Sequence, residues 1–469
     1  MTTICAPATA PGGAISVLRV SGPDTLDIVS RIFTKDLREA KGYTIHYGQI
    51  KATAAPQQAA VASSSNFAAQ QPSSPVVIDE VLVSVFRAPH SYTGEDSVEI
   101  SCHASAYIVR EILNALIAQG AEAAAPGEFT KRAFMHGKMD LSQAEAVADL
   151  IASSNRASHD IALNQLKGGF SSELTQLRQQ LLKLTSLLEL ELDFSDHEDL
   201  EFADRSELKQ LARTIADRLQ SLAQSFEAGK AIKEGIPVAI VGKTNVGKST
   251  LLNRLLHEDR AIVSDVHGTT RDVIEDTTVI NGYTFRFIDT AGIRHTDDTV
   301  ERLGIERTYE KLRQARIVLW VIDQAPSAEE ADEIQTLAEG KQLIVVRNKC
   351  DQSTSSAVFD TTAHLSPLQV SAKENIGIQA LEQSIYDAAD IPEISQGDII
   401  VTNARHYDLL CKAHKETTAV IASLDMDLSG DLVAEDLRQV LHTLASITGG
   451  EINTAETLAN IFSHFCVGK

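Results

Sequence analysis

The chain has 469 residues, 43% apolar and 23% charged, a length that excludes a single hydrophobic core and implies two to four domains of ordinary globular composition. No run approaches the ~18 consecutive apolar residues of a membrane span, which excludes an integral helical membrane protein and leaves a soluble one as the expectation. Lys plus Arg total 42 against 64 for Asp plus Glu, a formal charge of −22; this field repels polyanions at long range, so nucleic-acid contact requires a local basic patch or a partner.

The N-terminal "MTTICAPATAPGGAISVLRV" carries no basic region ahead of an apolar run, so no secretory signal and a cytoplasmic location are expected. Cys5, Cys102, Cys350, Cys411 and Cys466 show no CxxC or CxxH spacing, which argues for reduced thiols and against a disulfide framework or structural zinc.

In chain order, "AISVLRV" (14–20) and "VVIDEVLVSVF" (76–86) have the β-branched enrichment and alternation of strands, and "SAYIVREILNALIAQG" (105–120) has helix spacing, so residues 1–122 read as an α/β domain. Within it, residues 52–75 are rich in Ala, Gln, Ser and Pro and read as a loop or linker. Residues 123–235 carry long helical patterns such as "LSQAEAVADLIASSNRASHDIALNQL" and read as a helical domain. Residues 236–385 alternate apolar runs ("PVAIVG", "TFRFIDTAG", "RIVLWVID", "QLIVVRNKCD", "LQVSAK") with helical segments, the pattern of a doubly wound, mainly parallel sheet. Helical patterning returns over 386–469. The predicted fold class is therefore α/β plus all-α, with an α/β nucleotide-binding domain inserted into a helical one.

Between a strand and a helix lies "GKTNVGKST" (242–250). Gly242 and Gly247 frame a loop whose N–H groups can face an anion, and the helix behind adds its dipole. Asn245, Val246, Gly247, Lys248, Ser249 and Thr250 form this cradle, with the Lys248 ammonium for the β- and γ-phosphates and the Ser249 hydroxyl for Mg²⁺. Forty residues on, "FIDTAG" supplies Asp289, Thr290, Ala291 and Gly292, suited to a water-mediated Mg²⁺ contact and a backbone N–H on the γ-phosphate. In "VVRNKCD", Asp351 can accept from the N1–H and 2-amino edge of guanine, which adenine lacks. Asn348 and Lys349 support the ring, and Ser371, Ala372 and Lys373 can give a backbone N–H to guanine O6. GTP, not ATP, is the predicted ligand. The position after the DxxG motif, often a water-orienting Gln, is Ile293. The loop "SDVHGTTRD" (264–272) is the candidate switch, with Thr270 a second Mg²⁺ ligand, and its carbonyls with the Asn245 side chain could hold a monovalent cation.

Further motifs, "SYTGEDSVEISCH" (91–103), "PGEFTKRAFMHGKMDLSQAEAVADLI" (126–151), "ELDFSDHEDLEF" (191–202), "ERLGIER" (301–307) and the terminal "FCVGK" (465–469), make the whole chain resemble the bacterial and organellar tRNA modification GTPase family MnmE, also called TrmE. The resemblance implies a homodimer joined through the N-terminal domain, and a tetrahydrofolate one-carbon donor there, 5,10-methylenetetrahydrofolate with 5-formyltetrahydrofolate as its analogue. Arg19, Glu99, Lys138 and Lys469 match the folate positions. It further implies K⁺ held at Asn245, Ser264, Val266 and Thr269, the attacking water arranged by Glu301, and a tail cysteine, Cys466, required for modification. With an FAD-binding partner, MnmG, the family adds an aminomethyl-type group, carboxymethylaminomethyl or aminomethyl, to C5 of the wobble uridine of certain tRNAs. Against the family pattern, Val467 replaces Ile and residues 102–105 replace a His-Gly-Gly turn. The alternative reading is a switch GTPase of ribosome assembly acting by docking only; no KH-like GxxG element or basic domain follows the G motifs to support it.

Two acidic stretches read more simply than as metal sites. "DMDLSGDLVAED" (425–436) approaches a calcium loop, but Asp436 is too short for the bidentate twelfth ligand and no second loop exists, so a polar turn and a capped helix are expected. "ELELDFSDHEDLEF" reads as a solvated edge.

Overall fold

The computed structural model describes residues 1–51, 76–193, 205–256, 276–288, 314–352, 366–391, 398–426 and 428–450, together with 458, 461, 462, 465 and 468. The chain divides into two compact units, Met1–Ala148 with Ala445–Lys469, and Asp149–Leu444.

The first unit is built on β1 (Ile4–Pro7), β2 (Ile15–Ser21), β3 (Thr44–Lys51), β4 (Val77–Phe86), β5 (Ser97–His103) and β6 (Glu122–Ala123), ordered β3-β4-β5-β2-β1-β6. The pairs are antiparallel except β1 with β6. Helices α1 (Thr25–Ile32) and α2 (Ala106–Ala118) pack on the sheet through a core that includes Leu18, Val20, Val83, Ile100 and Leu116. Alternation then leaves Arg19 and Glu99, paired across β2 and β5, on the other face. The helix α3 (Glu128–Met135) and the start of α4 (Leu141–Ala152) complete the unit. So does the end of the chain, where Phe462 and Phe465 pack with Leu141, Ala144 and Phe134. Residues 123–148, read from sequence as part of the helical domain, thus lie in the same compact unit as the N-terminal sheet.

In the second unit, α5 (Arg156–Leu166) starts with a capping box from Asn155 to Ser158. Helices α6 (Gly169–Asp193) and α7 (Arg205–Glu234) bury Leu174, Leu177, Leu181, Leu184 and Leu188 on one and Leu208, Ala212, Ile215 and Leu219 on the other, the spacing of a single apolar stripe. Within this unit the chain continues into the nucleotide-type sheet: β7 (Ile236–Val241), α8 (Lys248–Leu256), β8 (Asp276–Ile280), β9 (Tyr283–Phe287), β10 (Ile317–Ile322), α9 (Ala328–Leu337), β11 (Gln342–Arg347), β12 (Leu368–Gln369) and α10 (Ile378–Ala388). The strand order is β12-β11-β10-β7-β9-β8, parallel except for β8. Every residue of the central β10 is buried, as a strand covered on both faces requires. The β8–β9 hairpin turns at Asn281 and Gly282, both at positive φ (50° and 84°), which Asn-Gly supplies readily.

Helix α11 (Ala404–Asp425) packs along α7, and α12 (Gly430–Thr448) follows. Gly229 of α7 is required there, since an added Cβ would collide with the Val401 carbonyl oxygen. At the acidic turn between α11 and α12, Asp425 pairs with Lys209 at 3.2 Å and Asp436 accepts from Ser423 at 3.1 Å. Among the described residues no cluster of three or more His, Cys, Asp or Glu could hold a metal, and no helix is long and apolar enough to cross a membrane.

Asn155 also ties α5 to β9: its Nδ2 donates to the Thr284 hydroxyl at 2.8 Å while its Oδ1 accepts from the Ser158 N–H. Asn155→Ala is expected to cost about 1–2 kcal/mol in urea unfolding, the worth of a helix cap with a tertiary bond attached. A Thr284→Val variant, which keeps the cap, should lose less.

Candidate functional site

The loop between β7 and α8 takes conformations that most residues avoid. Gly242 lies at φ 145°, Asn245 at 65° and Gly247 at 93°, and side chains at the two glycine positions are excluded twice. A Cβ on Gly242 would strike the Val321 carbonyl of β10, and one on Gly247 the Asn348 side-chain nitrogen. Val246 is buried beneath the loop, whereas Thr244, Asn245 and Thr250 are exposed. Lys248 and Ser249 open α8, so the dipole of that helix points into the loop.

The Lys248 ammonium folds back over the loop and donates to the carbonyls of Gly242 and Lys243, each at 2.6 Å. Burial lowers its pKa below the ordinary lysine range, because desolvation penalises the charged form. Lys243 reaches sideways to Glu330 at 2.5 Å, in the first turn of α9, and that bond holds the Glu330 carboxyl below its usual range.

After β11, the Asn348 side chain is buried and fully used: Nδ2 donates to the Val246 carbonyl at 2.9 Å and Oδ1 accepts from the Ala372 N–H at 3.1 Å. Lys349, at φ 61°, sends its ammonium to the Asn245 carbonyl at 2.6 Å and to Asp323 at 3.1 Å. A single 3-10 turn, Cys350–Gln352, presents Asp351 to solvent, where its Oδ1 accepts from the Ser371 hydroxyl at 2.6 Å. Ser371 is itself locked by reciprocal backbone bonds to Ile376 at 2.9 and 3.1 Å. The Ala372 N–H is taken, whereas the Lys373 N–H has no protein partner among the described residues.

The structure therefore brings Asn245, Val246, Gly247, Lys248, Ser249 and Thr250 together with Asn348, Lys349, Asp351, Ser371, Ala372 and Lys373 around one end of the sheet. Asn348, expected from the sequence to support the guanine ring, has its side chain bonded here as a brace between loops. Ser264, Val266, Thr269, Thr270, Asp289, Thr290, Ala291, Gly292 and Glu301 lie outside the described residues. Asp323, Glu330 and Arg254 were not foreseen. Arg254 donates to the Ala372 and Lys373 carbonyls at 3.2 Å each.

In the first unit, Arg19 donates from Nε and Nη2 to Glu99 Oε1 at 3.0 and 2.8 Å, and from Nη1 to the Gly468 carbonyl at 3.3 Å. Its guanidinium lies 5.2 Å from the Tyr92 ring centre and 5.6 Å from that of Phe129. Lys138 is not drawn into this pair; its ammonium binds the Pro89 carbonyl at 3.0 Å. Lys469 and Cys466 lie outside the described residues. Burial pushes the thiols of Cys5 and Cys102 up to about 11, so both are poor nucleophiles near neutral pH.

A strand, a strained Gly-framed loop with a lysine at the head of a helix, and a separate carboxylate-bearing loop braced to it define a GTP-binding P-loop hydrolase. A family model described as "GTP-binding protein TrmE N-terminus" matches residues 3–138, and one described as "MnmE helical domain" matches residues 141–466. The protein "tRNA modification GTPase MnmE" of Phocaeicola vulgatus is 53% identical over 494 residues, covering 100% of this chain and 99% of that one. Its namesake in Parabacteroides distasonis is 52% identical over 483 residues, covering 100% of each. Among solved structures, the G domain of the T. maritima FeoB iron transporter matches 33% of this chain at 22% identity with a TM-score of 0.25, too distant to carry any argument. The chain belongs to the tRNA modification GTPase MnmE (TrmE) family.

Gly247→Ala is expected to weaken binding of a fluorescent GDP analogue roughly tenfold or more, because the added methyl meets both the φ restriction and the Asn348 brace.

Proposed function

We propose that this protein is a potassium-dependent GTP hydrolase that modifies C5 of the tRNA wobble uridine, as a homodimer and with an FAD-dependent partner, MnmG. The observation that carries the reading is the Lys248 ammonium, partly buried and, among the described residues, bonded to loop carbonyls alone. Such a group is the natural counter-charge for a polyphosphate, and the glycine cradle leaves room for one where side chains are excluded. In the loaded site Mg²⁺ supplies charge neutralisation between the phosphates. Ser249 and Thr270 would hold it, with Asp289 reaching it through water. Asp351, oriented by Ser371, accepts from the guanine amino and N1–H edge, and Lys248 orients the phosphate chain. Asn245, with its side chain exposed at the loop crest, joins Ser264, Val266 and Thr269 as the K⁺ ligands, while Glu301 orients water.

Residues 1–122 bind the folate donor and join the dimer in this reading. The fit rests on Glu99: Arg19 engages its Oε1, which leaves Oε2 to accept from an amino-pyrimidine edge, with Tyr92 and Phe129 beside it. Lys138 and Lys469 would meet the acidic end of the folate, and Cys466 acts in the modification. Residues 236–385 hydrolyse GTP, and the helical segments 123–235 and 386–469 transmit its cycle.

Hydrolysis by the full chain should be faster in K⁺ than in Na⁺, and Asn245→Ala should erase that difference while leaving GDP binding intact. Equal rates in the two salts would remove potassium from the mechanism. Calorimetry with 5-formyltetrahydrofolate should give roughly tenfold weaker binding for Glu99→Gln, the loss of a charge-assisted bond. Quantifying modified wobble uridine in tRNA from cells lacking the protein separates modification from docking alone: an unchanged level would favour the docking switch.

A further inference from the structure

The loop that follows β12 is held by an arginine that comes from the phosphate side of the site. Arg254 lies on α8, whose first residue is Lys248, and its Nε and Nη2 donate to the carbonyls of Ala372 and Lys373, both at 3.2 Å. The fork geometry of guanidinium suits two adjacent acceptors in a way that a lysine ammonium does not.

These two carbonyls belong to two successive peptide planes. In a trans peptide the C=O and the following N–H point in opposite directions, so a hold on the Ala372 carbonyl turns the Lys373 N–H away from Arg254, and a hold on the Lys373 carbonyl does the same for the Glu374 N–H. The Glu374 N–H already has a role, donating to Ser371 Oγ at 3.2 Å, and Ser371 donates onward to Asp351. The Ala372 N–H is taken by Asn348. What Arg254 leaves aimed outward is the Lys373 N–H. Asn348 fixes one side of Ala372 and Arg254 the other, so the plane bearing that donor has little freedom to rotate.

We infer that Arg254 is a positioning residue for base recognition, which aims the Lys373 N–H at the O6 of guanine and ties that donor to the helix that begins at the phosphate-binding lysine. The inference deepens the guanine-nucleotide reading and rests on it. The side chain acts on the nucleotide only through the loop, and its contribution falls chiefly on the O6 edge: Asp351 reads the other edge, and its brace from Ser371 is held independently by the backbone bonds of Ser371 to Ile376.

The test compares GDP with inosine diphosphate, which lacks the 2-amino group, and with 2-aminopurine riboside diphosphate, which lacks both O6 and the N1–H, on the full-length protein by equilibrium titration. For Arg254→Met, GDP and inosine diphosphate should each bind roughly fivefold more weakly, the worth of one hydrogen bond. The 2-aminopurine nucleotide should keep its wild-type affinity, so the preference for GDP over it shrinks while that for GDP over inosine diphosphate persists. Arg254→Lys, able to reach one carbonyl, should fall between the two. Equal weakening of all three nucleotides would overturn the assignment in favour of a general role in packing α8, and unchanged GDP affinity would overturn it outright. Failure of the underlying reading would look different: wild-type protein would bind ADP as tightly as GDP before any variant is made. Thermal melting of the nucleotide-free variants guards against a folding defect, and Arg254→Lys, which preserves charge and stem packing, still decides the question if the methionine variant is unstable.

Discussion

The Asn348 carboxamide, 4% exposed, joins the Val246 carbonyl at 2.9 Å to the Ala372 N–H at 3.1 Å. Its partners are 102 and 24 residues away along the chain, so one side chain closes the site across two loops that local sequence cannot bring together. Both of its functions are buried, and removal of either partner would strand a polar group at a cost of about 1–3 kcal/mol. Much else depends on this brace. Gly247 must lack a side chain because the carboxamide occupies its space, and Lys349, next in the chain, is turned by its positive φ to reach Asn245 and Asp323. Asp351 then emerges on a short turn facing solvent, where a base can meet it.

A second constraint is electrostatic. Lys248 carries its charge into a partly desolvated position, and the carbonyl oxygens that receive it offer only partial charges. The lowered pKa is the sign that those dipoles do not fully compensate for lost water. A phosphate oxygen would compensate with a full charge, so the loop's affinity for polyanions arises from an incompletely satisfied cation together with N–H groups held open by glycine backbone. The net charge of −22 makes this local arrangement necessary: the protein as a whole repels polyphosphates, and only a focused positive site can hold one.

The sequence was most legible where function constrains local backbone. The sheet and helix pattern of 236–385 could be read because a buried strand such as β10 has to be continuously apolar, and the Gly-framed loop because its φ values admit few residues. The β-branched runs of 14–20 and 76–86 likewise marked β2 and β4 within a residue or so. Arg254 was invisible because nothing in "LLNRLL" distinguishes it from a solvated helix residue; its partners lie 118 and 119 residues later and are backbone atoms, which carry no sequence signature. The brace made by Asn348 was invisible for the same reason, since its partners are main-chain groups. Residues 123–148 share the helical pattern of the segment after them, and periodicity alone says nothing about which core a helix joins.

Gly468 illustrates how a residue is seated by main-chain proximity alone. Gly468 lies at φ 92°, and a Cβ there would collide with the Pro7 carbonyl of β1, so only glycine allows the backbone to come so near the sheet edge. That approach presents the Gly468 carbonyl to Arg19, whose remaining guanidinium nitrogens are taken by Glu99 and whose face lies beside Tyr92 and Phe129. Gly127 likewise makes room, since a Cβ there would press on Phe465 and on the Phe462 carbonyl. Two glycines and one arginine thus hold Phe462, Phe465 and Gly468 by backbone proximity and a single carbonyl bond. The seat at Gly468 is thus made by main-chain atoms, which set its carbonyl against the Arg19–Glu99 pair.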